Sequence, residues 1–150
     1  MYHRILVPVE NSSYDERILD HVRQLARFCG ASIVLIHVAD GWAARNIQHL
    51  NLRESEEMRA DREYIERLAE TLSSEGLEAE ALLATGDPSA EIAEAAEREK
   101  CDLIAMSTHG HRFIADLIYG SVASAVRHMT NIPVLLLRAP GSAKQKAALS

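Results

Sequence analysis

Gly110, Gly120 and Ser121 are the residues whose types and spacing best suit binding chemistry. They follow an apolar run ending at Met106, nine residues separate the two glycines, and an amphipathic segment starts at Ser121. That layout suits a phosphate group. Glycine lets the backbone approach an anion closely, and the first N–H groups of a helix have no partner within it. Glu10, just past the run Ile5 to Val9, offers a carboxylate to a ribose hydroxyl or a magnesium ion. His109 and His111 flank Gly110 without a carboxylate or cysteine at metal-ligand spacing, so they read as polar turn histidines and no metal site is expected. His37, inside an apolar run, reads as a hydrogen-bonded core residue. No nucleophile stands with a base beside it, so no catalytic residue is expected.

The elements that must hold these residues follow from periodicity. Ile5 to Val9 and Ala31 to Val38 are β-branched runs without polar alternation, as in strands buried on both faces. Between them, Ser13 and Glu16 have the spacing of a capping box, and Ile18, Val22, Leu25 and Cys29 recur at helical spacing until Gly30, which predicts a helix over 13–29. Asp40 to Leu52, around Gly41 and Trp42, has no clear period. Residues 54–75 read as a long helix with Met58, Ile65, Leu68 and Leu72 on one face and a solvated charged face opposite, ended by Gly76. Leu77 to Thr85 alternates weakly, as an edge strand does, and Asp87-Pro88 opens a helix with Ile92, Ala93 and Ala96 inward. Asp102 to Met106 is the fourth strand. The helix from Ser121 is expected to bury Val122, Ala125, Val126 and Met129, and Pro133 to Leu137 is the fifth strand. Strands alternating with helices predict an α/β fold with a parallel sheet and helices on both faces. In the order 3-2-1-4-5, the loops after strands one and four converge at the switch point, where ligands bind in such sheets.

A chain of 150 residues is the size of a single domain, assigned here to residues 1–138 with a flexible tail over 139–150. The formal net charge of −6 argues against nucleic acid and anionic membranes as partners. No run approaches a membrane span and the first residues lack a secretory pattern, so a cytoplasmic protein is expected. Cys29 and Cys101 have no metal or Cys-x-x-Cys spacing and read as small hydrophobes.

Ile-Leu-Val-Pro-Val-Glu-Asn-Ser, Leu-Ile-His-Val, Gly-Asp-Pro, Cys-Asp-Leu-Ile-Ala-Met-Ser-Thr-His-Gly, Gly-Ser-Val and Ile-Pro-Val-Leu-Leu-Leu, in this order over residues 2–138, resemble the universal stress protein family. The resemblance implies a Rossmann-like domain that binds ATP, or AMP, with Mg²⁺ a candidate companion, in a stress-linked regulatory role. It puts adenosine contacts on Pro8, Val9 and Glu10, the adenine edge on Val38, and ribose and phosphates on Met106, Ser107, Gly110, Gly120, Ser121 and Val122. It implies at most slow ATP hydrolysis, and a homodimer through the last strand, Pro133, Val134, Leu135, Leu136 and Leu137, whose apolar edge invites pairing. A further protein partner would read the switch. Two positions depart from the ATP-binding pattern: Ser107 stands in the place of a glycine and Glu10 in the place of an aspartate. They motivate the alternative of a homodimeric interaction module that works without nucleotide.

Overall fold

A computed structural model describes residues 1–40, 47–108 and 121–138. Along these residues run β1 (Arg4–Pro8), α1 (Asp15–Cys29), β2 (Ser32–Asp40), α2 (Ile47–Ser74), β3 (Ala79–Gly86), α3 (Pro88–Arg98), β4 (Leu103–Ser107), α4 (Ser121–Met129) and β5 (Val134–Leu137). All pairings are parallel, in the order β3-β2-β1-β4-β5. This is the α/β sheet that the sequence predicts. No described helix is long and apolar enough to cross a membrane.

The unbroken apolar runs have a direct cause. Successive strand residues point to opposite faces, and here both faces are covered. Ile5, Val7, Ile33, Leu35, Leu103 and Ala105 pack on one face against Ile18 and Val22 of α1 and Ile65 and Leu72 of α2. Leu6, Val34, Ile36, Ile104 and Met106 pack on the other against Ile92 and Ala96 of α3 and Ala123 and Val126 of α4. At about 25 cal/mol per Å² of apolar area removed from water, these two layers supply the main drive to fold.

Several helix ends differ from expectation. The Ser13–Glu16 capping box does not form: α1 starts at Asp15, its N-cap Tyr14 is already helical (φ −71°, ψ −19°) and makes no side-chain cap bond. Asp15 instead turns its carboxylate back onto the preceding loop. Gly30 ends α1 as expected, in the left-handed region at φ 71°. Asp87 caps α3, accepting from the Ala90 N–H at 3.0 Å. Helix α2 begins at Ile47, so part of the segment without clear period is helical; Trp42 lies outside the described residues. In α4 the buried residues are Ala123 and Val126, while Met129 is 52% exposed. The small Ala123 lets α4 lie close to α3, and Met129, the last helical residue, falls beyond the apolar layer.

The amino ends of the strands are bolted together. Arg4 donates to the Glu99 carbonyl at 2.8 Å, to Ser32 Oγ at 3.3 Å, and to Glu80 and Glu99 carboxylates at 3.2 and 3.3 Å. The Asp102 carboxylate takes the His3 and Arg4 N–H groups at 2.9 Å. Burial opposes the charge on Asp102, but these backbone donors and the His3 ring outweigh it and hold its carboxyl below the usual 3.8. Beside them Cys101 is buried, and burial pushes its thiol up to about 11, so it stays protonated and packs as a hydrophobe.

Candidate functional site

At the opposite, carboxyl end of the sheet, β1 and β4 are the neighbours from which the chain winds outward in both directions. Their ladder runs Ile5↔Leu103 and Leu6↔Ile104 and goes no further, although β1 continues to Pro8 and β4 to Ser107. Proline accounts for this. The Val9 N–H donates to the Ile36 carbonyl of β2 at 2.8 Å, and Asp102 N–H donates to the Arg4 carbonyl at 2.9 Å. Odd residues of β1 therefore present their peptide groups to β2 and even ones to β4. Pro8, an even residue, has no N–H to offer β4. The ladder between the two strands stops there, at the switch point where ligands bind in such sheets.

The same parity fixes what β2 presents. Ile36 meets Val9 on the β1 side, so Val38, two residues on, directs its N–H and carbonyl to that side too, past the end of β1. On its other edge β2 pairs with β3 through Asp40↔Gly86.

The loop leaving β1 is held from inside. Asp15, 3% exposed, accepts from the N–H groups of Glu10 at 2.9 Å, Asn11 at 2.8 Å and Ser12 at 3.1 Å, and from the Tyr64 hydroxyl at 2.6 Å. Three successive amides that form an anion nest are thus turned onto the chain's own carboxylate. Burial first, then the bond to Asp15, pushes the Tyr64 hydroxyl well above its usual 10.0. Asn11 sits in the left-handed region at φ 64°, a conformation that asparagine tolerates better than most. His37 joins the same network, its ring lying 3.0 Å from the Val9 carbonyl and 3.1 Å from Asp61 Oδ2. It is hydrogen-bonded, as expected, though to a helix acid as well as to the backbone.

The expected contact residues occupy three places. Pro8, Val9 and Glu10 lie at the end of β1. Val9 faces the α1 side and its N–H is taken by Ile36, which leaves the second lone pair of its carbonyl. Val38, Met106 and Val122 come together in the apolar cluster on the α3 and α4 face. Ser107 ends β4, and Ser121 opens α4. Thr108 follows, with its N–H on the Leu137 carbonyl at 3.0 Å and a buried hydroxyl that has no partner among the described residues. Gly110 and Gly120, like His109 and His111, lie outside the described residues. No group of three metal-ligating side chains occurs among those described.

Asp15, Asp61 and Tyr64 are absent from the sequence-based selection. An acid and a tyrosine on a helix dense in Glu and Arg carry no mark that separates them from its solvated face. Asp15, two residues after the pair Ser12 and Ser13, reads simply as a first-turn acid.

Comparison with known proteins follows the same outline. A model described as Universal stress protein family matches residues 1–138. Universal stress protein MJ0577 of Methanocaldococcus jannaschii is 26% identical over 159 aligned positions, covering 95% of this chain and 98% of its own. A solved structure of MJ0577 aligns at TM-score 0.82 and 28% identity, over 92% of this chain and 96% of that one. The universal stress protein in the QAH/OAS sulfhydrylase 3′ region of Thermus aquaticus is 30% identical over 139 positions, with 92% and 100% covered. The universal stress protein from Archaeoglobus fulgidus, solved in complex with dAMP, aligns at TM-score 0.63 and 24% identity over 90% of this chain and 97% of that one.

Proposed function

The chain belongs to the universal stress protein family, and on that premise we propose that it binds an adenine nucleotide, ATP or AMP, at the β1–β4 switch point as a regulatory switch. One observation carries this reading. Pro8 ends the β1–β4 ladder while β2 runs on, so the peptide groups of Val38 are directed past β1. A purine edge with an acceptor ring nitrogen and an amino donor is the natural complement of a backbone N–H and carbonyl. The dAMP held by the Archaeoglobus fulgidus protein supports the fold's suitability for such a ligand.

In this reading Pro8, Val9, Glu10 and Val38 meet adenosine, with the Glu10 carboxylate on the ribose. Met106, Ser107, Gly110, Gly120, Ser121 and Val122 meet ribose and phosphates. The Glu10 to Ser12 amides are committed to Asp15, so the phosphates belong at the β4 side, where α4 presents the positive end of its dipole. The described residues hold no cluster of three metal-ligating side chains, and in this reading Mg²⁺ enters with the triphosphate. The chain's residues bind and orient the nucleotide; no group at the switch point is assigned to activate water.

Calorimetric titration with ATP, ADP and AMP, with and without Mg²⁺, tests the reading. Gly120→Val should abolish binding while leaving the circular dichroism spectrum unchanged, because a branched side chain blocks close approach of a phosphate. Wild-type protein that binds none of the three at millimolar concentration would refute it.

We also assign β5 as a homodimer interface. It is a sheet edge with β4 as its strand neighbour, and Leu136 on it is 41% exposed. This assignment holds with or without nucleotide.

A further inference from the structure

The loop that carries Glu10 is gripped by a helix far away in sequence. One carboxylate, Asp61 of α2, serves two partners: Oδ2 lies 3.1 Å from His37 Nε2, and Oδ1 accepts from Asn11 Nδ2 at 3.2 Å. His37 in turn reaches the Val9 carbonyl at 3.0 Å. The Val9 carbonyl can only accept, so the ring donates to it from Nδ1, and Nε2 faces the Asp61 carboxylate. The two arms arrive at Val9 and Asn11, the residues on either side of Glu10. One arm ends on a residue held at φ 64°.

Burial favours an exact fit over a loose one. The His37 side chain is 12% exposed and that of Asp61 23%, so water competes weakly for these bonds. The Asp15 carboxylate already satisfies the amides of residues 10–12. What Asp61 adds is not satisfaction of those amides but the placement of the loop's two flanks relative to β2, which carries Val38.

We propose that Asp61 is a positioning residue of the nucleotide site, acting through His37 and Asn11 to fix Val9, Glu10 and Asn11 relative to Val38. This rests on the nucleotide-binding reading above. Helix α2 thereby becomes part of the site without touching the ligand. Any partner that shifts α2 shifts the β1 loop with it.

The test compares Asp61→Ala with Asp61→Asn in the full chain. Hydrogen exchange of backbone amides is followed in the free protein, and calorimetry measures ATP affinity. Asp61→Ala should speed exchange at Glu10, Asn11 and Ser12 by about tenfold with no change at Ile5 to Val7, since local opening is separable from global unfolding. It should weaken ATP binding about tenfold. Asp61→Asn keeps an oxygen for Asn11 and offers its amide to an unprotonated His37 Nε2, so it should stay within about threefold of wild type in affinity. Unchanged exchange at residues 10–12 in Asp61→Ala, or an increase spread equally over β1, would overturn the proposal. If wild-type protein binds no nucleotide, the functional reading falls, and the exchange comparison still decides whether Asp61 positions the loop.

Discussion

Asp15 carries the densest set of bonds in the site, and its removal would strand four donors. Asp15→Ala leaves the N–H groups of Glu10, Asn11 and Ser12 and the Tyr64 hydroxyl without their acceptor. Water reaches part of that loop, so the expected loss of stability is about 2–3 kcal/mol by urea denaturation. Tyr64→Phe removes only one of the four and should cost about 1.5 kcal/mol, the low end for a bond to a charged acceptor. Alkaline pH offers a second handle on the same bond. The folded-state value of Tyr64 is raised, so its contribution is present below the ordinary 10.0 and lost as pH rises from there through the raised value. Wild type should therefore lose more stability than Tyr64→Phe above that pH.

Among the elements, the strands were legible because their chemistry is uniform. A strand covered on both faces leaves no polar alternation, and Ile5 to Val9 and Ala31 to Val38 display that directly. Helix α2 was half legible: Ile65 and Leu72 mark its inner face, but Asp61 and Tyr64 act across about fifty residues of chain, and no local period encodes such a contact. Helix α4 shows the opposite failure. Its pattern fits burial of Val122, Ala125, Val126 and Met129; Val126 is buried and Val122 packs on the same cluster, but the other buried place goes to Ala123 and Met129 is exposed. At the amino ends, Asp102 ties β4 to β1, and its lowered folded-state value makes this tie pH-dependent. The contribution is present above the ordinary 3.8 and lost as pH falls through the lowered value. Between about pH 5 and about pH 2 the urea midpoint of wild type should fall further than that of Asp102→Asn.

For the whole molecule, the switch point was foreseeable but the early end of the β1–β4 ladder was not. Strand order alone puts the switch point between β1 and β4, whereas the end of the ladder depends on which edge of β1 lacks a donor, and Pro8 supplies that only once the pairing side is known. The proposed β5 homodimer is tested at the far edge. Leu136→Lys places a charge on exposed apolar surface, and sedimentation velocity should show the dimer replaced by monomer while nucleotide affinity persists. The two ends of the sheet differ in a way that matters mechanically. Arg4 and Asp102 bind β3, β2, β1 and β4 into a spine at one end, and at the other β1 and β4 are unlaced. Each strand stays laced to its outer neighbour, β1 to β2 through Pro8↔Ile36 and β4 to β5 through Ser107↔Leu137. The sheet is therefore built like a clip, with its fulcrum at the spine and its jaws where the inner ladder stops.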